Sequence, residues 1–169
     1  MTSAFLLLVL AWALTAFWSD ALHRRLPNAL VAGGWALAAV AWTWPPAGLP
    51  VSSPAGGLAG AALGMGLLLP GWLAGKLGAG DVKLLGACGA LLGAAKLPAV
   101  LLATALLAGA WALAWLLARV VGRRHAGTWG WLDALHDQSR RGLPLGSAIA
   151  LAFLWAYVGE PLMGWQLPV

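Results

Sequence analysis

The sequence predicts an all-α, polytopic integral membrane protein of about six transmembrane helices. Of its 169 residues, 62% are hydrophobic and 9% are charged, and the mean hydropathy is +0.84. Soluble domains carry about a quarter charged residues, so this composition fits lipid as the solvent. The apolar residues also come in long runs separated by turn residues, as membrane helices do. The length corresponds to a single membrane-embedded domain over residues 1–169.

The apolar runs define the predicted helices. The first, 4–18, reaches the length of a spanning helix, about 20 residues, if residues 19–22 continue it. It lacks the preceding basic residues of a signal peptide, which makes it a retained helix with its N-terminus outside. One helix over the long run 84–118 would overshoot the bilayer, so a turn is predicted near Gly93–Pro98. The remaining helices are expected at about 28–44, 55–77 and 143–165.

The basic residues set the predicted orientation. With six helices and both termini outside, nine of the ten lysines and arginines lie on the cytoplasmic side, and Lys96 alone lies outside. The net charge of +5 therefore reflects membrane topology rather than a nucleic-acid surface. Tryptophans near the ends of the runs are expected to act as interfacial anchors, namely Trp18, Trp44, Trp72, Trp129, Trp131 and Trp165.

A polar segment, 119–142, is expected to form a cytoplasmic loop between the fifth and sixth helices. Trp129 and Trp131 mix with charged residues there, as in a short amphipathic helix lying on a membrane. Such a loop could recruit substrate or anchor to anionic lipid. Its two aspartates, Asp133 and Asp137, are four residues apart among basic residues, so ordinary surface ion pairs explain them.

Asp20 and Asp81 are the candidate catalytic residues. On the predicted topology both lie at the cytoplasmic membrane boundary, where an ionisable group is costly and a functional role is the default hypothesis. The alternative for Asp81 is an N-cap of the fourth helix. Gly78 and Gly80 precede Asp81, and glycines permit unusual backbone angles and the close approach of another chain. That geometry suits an extended peptide lying against the site.

Two neighbouring carboxylates would share one proton. The ionised member can activate a water, and the protonated member can donate to the oxygen of a scissile peptide carbonyl. This route needs no metal and no cofactor, and His23, His125 and His136 lack metal-ligand spacing. The same carboxylates would also suit a small transporter or channel with an ion or proton relay. A catalytically silent partner in a secretion complex is a third possibility.

At these residues the sequence resembles the prepilin peptidases, a family of membrane aspartyl proteases with a Gly-x-Gly-Asp motif. Residues 78–84, GAGDVKL, match that signature closely. Asp20, followed by the Leu-Pro-Asn of residues 26–28, resembles the family's first aspartate element. Residues 143–146, LPLG, resemble the Pro-x-Gly start of the last helix. The three elements occur in family order over nearly the whole chain.

The resemblance implies cleavage of the short basic leader of type IV pilin-like precursors at the cytoplasmic face of the bacterial inner membrane. Expected partners are prepilin and pseudopilin precursors, membrane lipids and pilus-assembly machinery. Asp20 and Asp81 correspond to the catalytic pair. Residues implied as motif or substrate-binding positions are Gly78, Gly80, Lys83, Pro27 and Asn28.

The chain departs from the longer bacterial members of that family in one respect. Those members carry a cytoplasmic segment with two Cys-x-x-Cys pairs, and they also methylate the new N-terminus. This chain has the single cysteine Cys88, so the segment is absent, which argues against methyltransferase activity. Its length resembles that of the short peptidases serving Flp/Tad-type pili.

Overall fold

The computed structural model describes residues 2–46, 53–124 and 145–163. Over these ranges the chain forms six α-helices and no strand, which confirms the predicted all-α fold. Three segments are long and apolar enough to cross a membrane, namely Ser3–His23, Pro54–Leu73 and Leu97–Ala114. The orientation of the termini stays a prediction. The helices are α1 (Thr2–His23), α2 (Asn28–Thr43), α3 (Pro54–Leu73), α4 (Ala79–Leu92), α5 (Leu97–Arg124) and α6 (Leu145–Met163).

The first helix continues beyond the apolar run 4–18, as a helix long enough to span the membrane requires. It ends at His23, so Asp20 lies in its last turn. Arg24 closes the helix with a positive φ of 53°, and its N–H donates to the carbonyl oxygen of Asp20 at 2.9 Å. Pro27, with φ −59°, is the N-cap of α2, which begins at Asn28 as predicted. A short connection therefore links the end of α1 to the start of α2.

Left-handed glycines follow the ends of α3 and α4. Gly75 adopts φ +69° two residues after α3 ends at Leu73, four residues earlier than predicted. Gly93 adopts φ +83° directly after α4. Both values lie in the left-handed region, which glycine occupies without the steric cost that other residues incur. The predicted turn between the fourth and fifth helices is thereby confirmed.

The fifth helix is longer than predicted. Residues 119–124 continue α5 instead of beginning a cytoplasmic loop. Helix propagation adds one backbone hydrogen bond per residue, and arginine is a good helix former, so a change from apolar to basic sequence does not end a helix. The rest of the predicted loop, including the proposed amphipathic helix with Trp129 and Trp131, lies outside the described residues.

Helix α4 lies at the centre of the bundle and contacts α2, α3, α5 and α6. Its residues from Leu84 to Leu92 are all buried. The closest approach is to α3, where a Cβ added at Gly60 would meet the backbone oxygen of Gly89. Small residues of α3 allow this close packing, and the buried ones are Gly57, Gly60, Ala61 and Gly64.

Candidate active site

Four helix ends meet at one end of the bundle. Asp20 comes from the end of α1, Asn28 begins α2, Asp81 lies in the first turn of α4, and Ser147 lies in the first turn of α6. Because α6 packs against both α1 and α4, its first turn lies between the two helices that carry the aspartates. Residues far apart in the sequence are thus neighbours here.

Asp20 is anchored to the start of α6. Its side chain is only 6% exposed. Its Oδ2 accepts a hydrogen bond from the backbone N–H of Ser147 at 2.7 Å and lies 3.0 Å from the Ser147 hydroxyl oxygen, which also donates to it. The first N–H groups of a helix have no partner within the helix, so a buried carboxylate at this position satisfies one of them. Asp20 is therefore a buried acid with defined donors.

Asp81 does not cap α4, so the alternative role considered for this residue is wrong. The N-cap is Gly78, whose extended backbone (φ −74°, ψ 141°) lets its carbonyl accept from the N–H of Asp81 at 3.1 Å. The Asp81 carboxylate in turn accepts from the N–H of Gly78. This is the backward half of a capping box, in which the third helical residue reaches back to the N-cap N–H. Asp81 is half-buried, with the exposed Gly78 and Ala79 beside it.

The motif glycines serve close packing rather than unusual backbone angles. Gly78 is extended, and the positive-φ glycines of the described residues are Gly75 and Gly93, so the predicted unusual angles are wrong. A close approach does occur at Gly80, where an added Cβ would lie 3.0 Å from Cβ of Leu26, whereas the approach of a substrate chain stays a prediction. The neighbour is the chain's own connection between α1 and α2.

Leu26 contacts the starts of both α4 and α6. Its Cδ1 lies 3.0 Å from the position that a Cβ on Gly146 would occupy, and its Cβ abuts Gly80. The same added Cβ on Gly146 would lie 2.9 Å from Cγ of Asp20. Leu26 therefore packs between the start of α4 and the start of α6, beside the first aspartate. Its side chain fixes the spacing of those two helix ends.

The two carboxylates interact electrostatically. Asp81 lies outside the three segments that are long enough to span a membrane. The pKa of Asp81 is raised from 3.8 to about 6, mainly by burial and secondly by the negative charge of Asp20, while the hydrogen bond from Gly78 opposes both effects. Asp81 thus holds a proton more readily than an exposed aspartate, because it is partly buried and because a second negative charge lies close by.

The remaining predicted site residues border this pair. Lys83 is exposed, and its Nζ lies 3.4 Å from Oδ1 of Asn28, which links α4 to α2. Pro27 precedes Asn28 as the N-cap of α2. The structure thus brings all seven predicted residues to one end of the bundle. In the part of the chain that it describes, no group of three His, Cys, Asp or Glu side chains could hold a metal ion.

Sequence reasoning missed two residues of this site as contacts of Asp20. Gly146 was part of a recognised motif but had no assigned partner, and Ser147 was not singled out. A signal was present, since Ser147 is a hydroxyl residue at the start of an otherwise apolar run. Because Ser147 is 127 residues from Asp20 along the chain, the sequence did not indicate that the two side chains are in contact.

These features define a helical membrane protein with two interacting carboxylates at one end of its bundle. The chain belongs to the type IV leader peptidase family, whose model matches residues 7–113, more than half of the chain and including both aspartates. The protein is therefore a membrane peptidase of the type IV leader class. The resemblance to prepilin peptidases is confirmed. No curated protein and no solved structure matches the chain.

Proposed function

We propose that the protein is an aspartyl endopeptidase that removes the short basic leader from Flp/Tad-like type IV prepilins. Asp20 and Asp81 form its catalytic pair, and cleavage occurs at the cytoplasmic face of the bacterial inner membrane. The observation that carries this proposal is the electrostatic interaction of the buried Asp20 with Asp81, whose pKa is raised to about 6. Membership in the leader peptidase family supports the same reaction.

The pair performs hydrolysis by general acid–base catalysis. The ionised carboxylate removes a proton from a water molecule, and the resulting hydroxide attacks the scissile carbonyl carbon. The protonated carboxyl donates to the carbonyl oxygen, which gives a neutral tetrahedral intermediate. Return of a proton to the leaving amine then breaks the C–N bond. One proton shared between the two groups supplies both functions.

The substrate reaches the pair from the exposed start of α4. Gly78 and Ala79 are exposed directly beside Asp81, and neither carries a side chain that would obstruct an extended peptide. Lys83 is exposed one turn further along the chain. The distribution of basic residues supports a cytoplasmic location for this end of the bundle. An extended prepilin segment would thus lie along 78–80 with its scissile bond above the two carboxylates.

The test is cleavage of a full-length prepilin by the purified protein in liposomes, with the new N-terminus read by mass spectrometry. Asp20→Asn and Asp81→Asn are each expected to abolish cleavage, because asparagine can neither accept nor supply the catalytic proton. Asp133→Asn is the matched control, because the sequence predicts only ordinary surface ion pairs for that aspartate. The product mass also shows whether a methyl group is added when a methyl donor is supplied.

Each outcome separates the alternatives. Cleavage before the hydrophobic stem that is lost in both variants and kept in the control supports the pair. Full activity in either Asp20→Asn or Asp81→Asn would rule the pair out. Ion-dependent flux through the folded protein, without a peptide product, would instead favour the transporter hypothesis.

A further inference from the structure

Ser147 contacts one aspartate of the pair in two ways. Its backbone N–H donates to Oδ2 of Asp20 at 2.7 Å, and its hydroxyl can donate to the same oxygen at 3.0 Å or, over a longer distance, to the carbonyl oxygen of Phe17 at 3.2 Å. Ser147 itself is 5% exposed. A short hydrogen bond between buried groups is held in place by the surrounding packing, and hydrogen bonds to a charged acceptor are stronger than those between neutral groups. Ser147 is therefore well placed to fix the charge and the position of Asp20.

The environments of the two aspartates differ. Asp20 receives two donors from Ser147, and the first turn of a helix adds a partial positive charge at this point. Asp81 is half-buried and accepts one backbone N–H from Gly78. Where two carboxyls share a proton, the group with more donors keeps the negative charge, and the other keeps the proton.

We propose that Ser147 is a positioning residue that holds Asp20 as the ionised, water-activating member of the pair and thereby leaves the proton on Asp81. This inference rests on the proposed function. It assigns the roles of general base and general acid within the pair. Both donors of Ser147 engage Oδ2, so Oδ1 of Asp20 is the oxygen that removes the proton from water. Asp81 donates its proton to the scissile carbonyl oxygen.

Other charged groups lie at the same end of the bundle. His23, Arg24 and Arg25 follow Asp20 at the end of α1, and Lys83 follows Asp81 on α4. Substitution of Ser147 leaves every one of these groups in place. A change in pH dependence caused by Ser147→Ala therefore reports on the Ser147 hydroxyl and not on these groups.

The test is the pH profile of cleavage by Ser147→Ala, which removes the hydroxyl and keeps the backbone N–H. We expect kcat/KM to fall roughly 10- to 100-fold at neutral pH, the usual effect of deleting one hydrogen bond to a buried charge. The acid limb of the profile should also move toward neutral pH, because a carboxylate that loses a donor takes up a proton more readily. Ser147→Thr retains a hydroxyl and should restore the acid limb.

Ser19→Ala is the matched control. The Ser19 hydroxyl donates to the carbonyl oxygen of Arg25 at 2.8 Å, and Ser19 adjoins Asp20 in the chain, but this hydrogen bond does not involve the carboxylate. Loss of this hydroxyl should leave the acid limb where it is in the wild type. A purely structural effect of Ser147→Ala would lower the rate equally at every pH, and that result would overturn the proposal.

A second measurement locates the proton without cleavage. Infrared spectra in mildly acidic buffer, below about pH 6, should show the carbonyl band of a protonated carboxyl group. The band should disappear in Asp81→Asn and persist in Asp20→Asn. The reverse pattern would overturn the assignment of roles.

Failure of this inference is distinguishable from failure of the proposed function. If Asp20→Asn and Asp81→Asn are inactive while Ser147→Ala keeps the wild-type profile, the pair stands and the role of Ser147 is wrong. If either aspartate variant keeps full activity, the proposed function is wrong, and the role of Ser147 fails with it.

Discussion

Gly146 lies directly against the carboxyl group of Asp20. A Cβ at position 146 would stand 2.9 Å from Cγ and 3.1 Å from Oδ2 of Asp20, and 3.0 Å from Cδ1 of Leu26. The start of α6 thus approaches Asp20 so closely that only a residue without a side chain fits. Because the next residue, Ser147, donates to the same carboxylate, this close approach and the hydrogen bonds depend on each other.

Gly146→Ala is therefore expected to impair catalysis. The added methyl group must displace either the Asp20 carboxyl group or the first turn of α6, and a misplacement of about 1 Å costs roughly 100-fold in rate. The measurement is kcat/KM for prepilin cleavage. Gly159→Ala on the same helix is the control, because an added Cβ there meets nothing within 4 Å. Equal activity of the two variants would show that Asp20 does not depend on this contact.

Gly60→Ala is expected to destabilise the bundle. Its Cβ would collide with the backbone oxygen of Gly89 and lie 2.7 Å from the carbonyl carbon of Gly93, and backbone cannot move aside as a flexible side chain can. Overpacking of this kind costs about 1–3 kcal/mol. Gly66→Ala in the same helix should be neutral or stabilising, because nothing lies within 4 Å of its Cβ position and alanine is the better helix former.

Thermal unfolding in detergent, followed by tryptophan fluorescence, measures both variants. A Tm for Gly60→Ala at or above that of Gly66→Ala would contradict the close packing of α3 on α4.

The cleavage rate is expected to fall as the pH rises through about 6. The raised pKa of Asp81 means that its carboxyl group stays protonated up to about that pH and ionises above it. Loss of this proton removes the donor to the scissile carbonyl oxygen, so the alkaline limb of the kcat/KM profile should lie near pH 6. A rate that stays constant from pH 5 to pH 8 (values bracketing the pKa of about 6) would contradict the assignment.

Asp81→Asn should raise stability in a pH-dependent manner. The pKa of Asp81 is about 6 in the folded protein against 3.8 without burial, so the folded state binds more protons and wild-type stability falls as the pH rises between these values. Asparagine carries no charge and avoids that loss. The Tm of the variant should therefore exceed that of the wild type above about pH 6 and approach it as the pH falls toward 3.8. A Tm difference independent of pH would exclude ionisation of Asp81 as the cause.

Lys83 and Asn28 are expected to act as a coupled pair. Nζ of Lys83 lies 3.4 Å from Oδ1 of Asn28, a long hydrogen bond at an exposed position. A double-mutant cycle of Lys83→Met and Asn28→Ala, scored by kcat/KM, should give a coupling energy of about 0.5–1 kcal/mol. Lys76→Met is the matched control. Lys76 lies in the connection before α4, and its substitution should show no coupling to Asn28→Ala. Additive effects of Lys83→Met and Asn28→Ala would mean that the contact does not matter to the reaction.

Local sequence was sufficient to predict the helices and most of their ends. Lipid-like composition and the lengths of the apolar runs predicted six helices, and Gly93 and Pro98 predicted the break before α5. The end of α5 was predicted too early because a change to basic residues is a weaker stop signal than glycine or proline. Similarly, residue type made Asp81 a plausible N-cap, whereas the backbone of Gly78 takes that position.

The sequence by itself determined which two aspartates are the candidate catalytic residues, their order and their motif neighbours. These features are short-range and lie within residues 20–28 and 78–84. Only the tertiary structure decided how the aspartates differ. Ser147 reaches Asp20 across 127 residues, and Leu26 separates Gly80 from Gly146, because four helix ends converge when α4 is enclosed by its neighbours. The charge state of a carboxyl group depends on burial and on donors supplied by other helices, and neither is a property of its own segment.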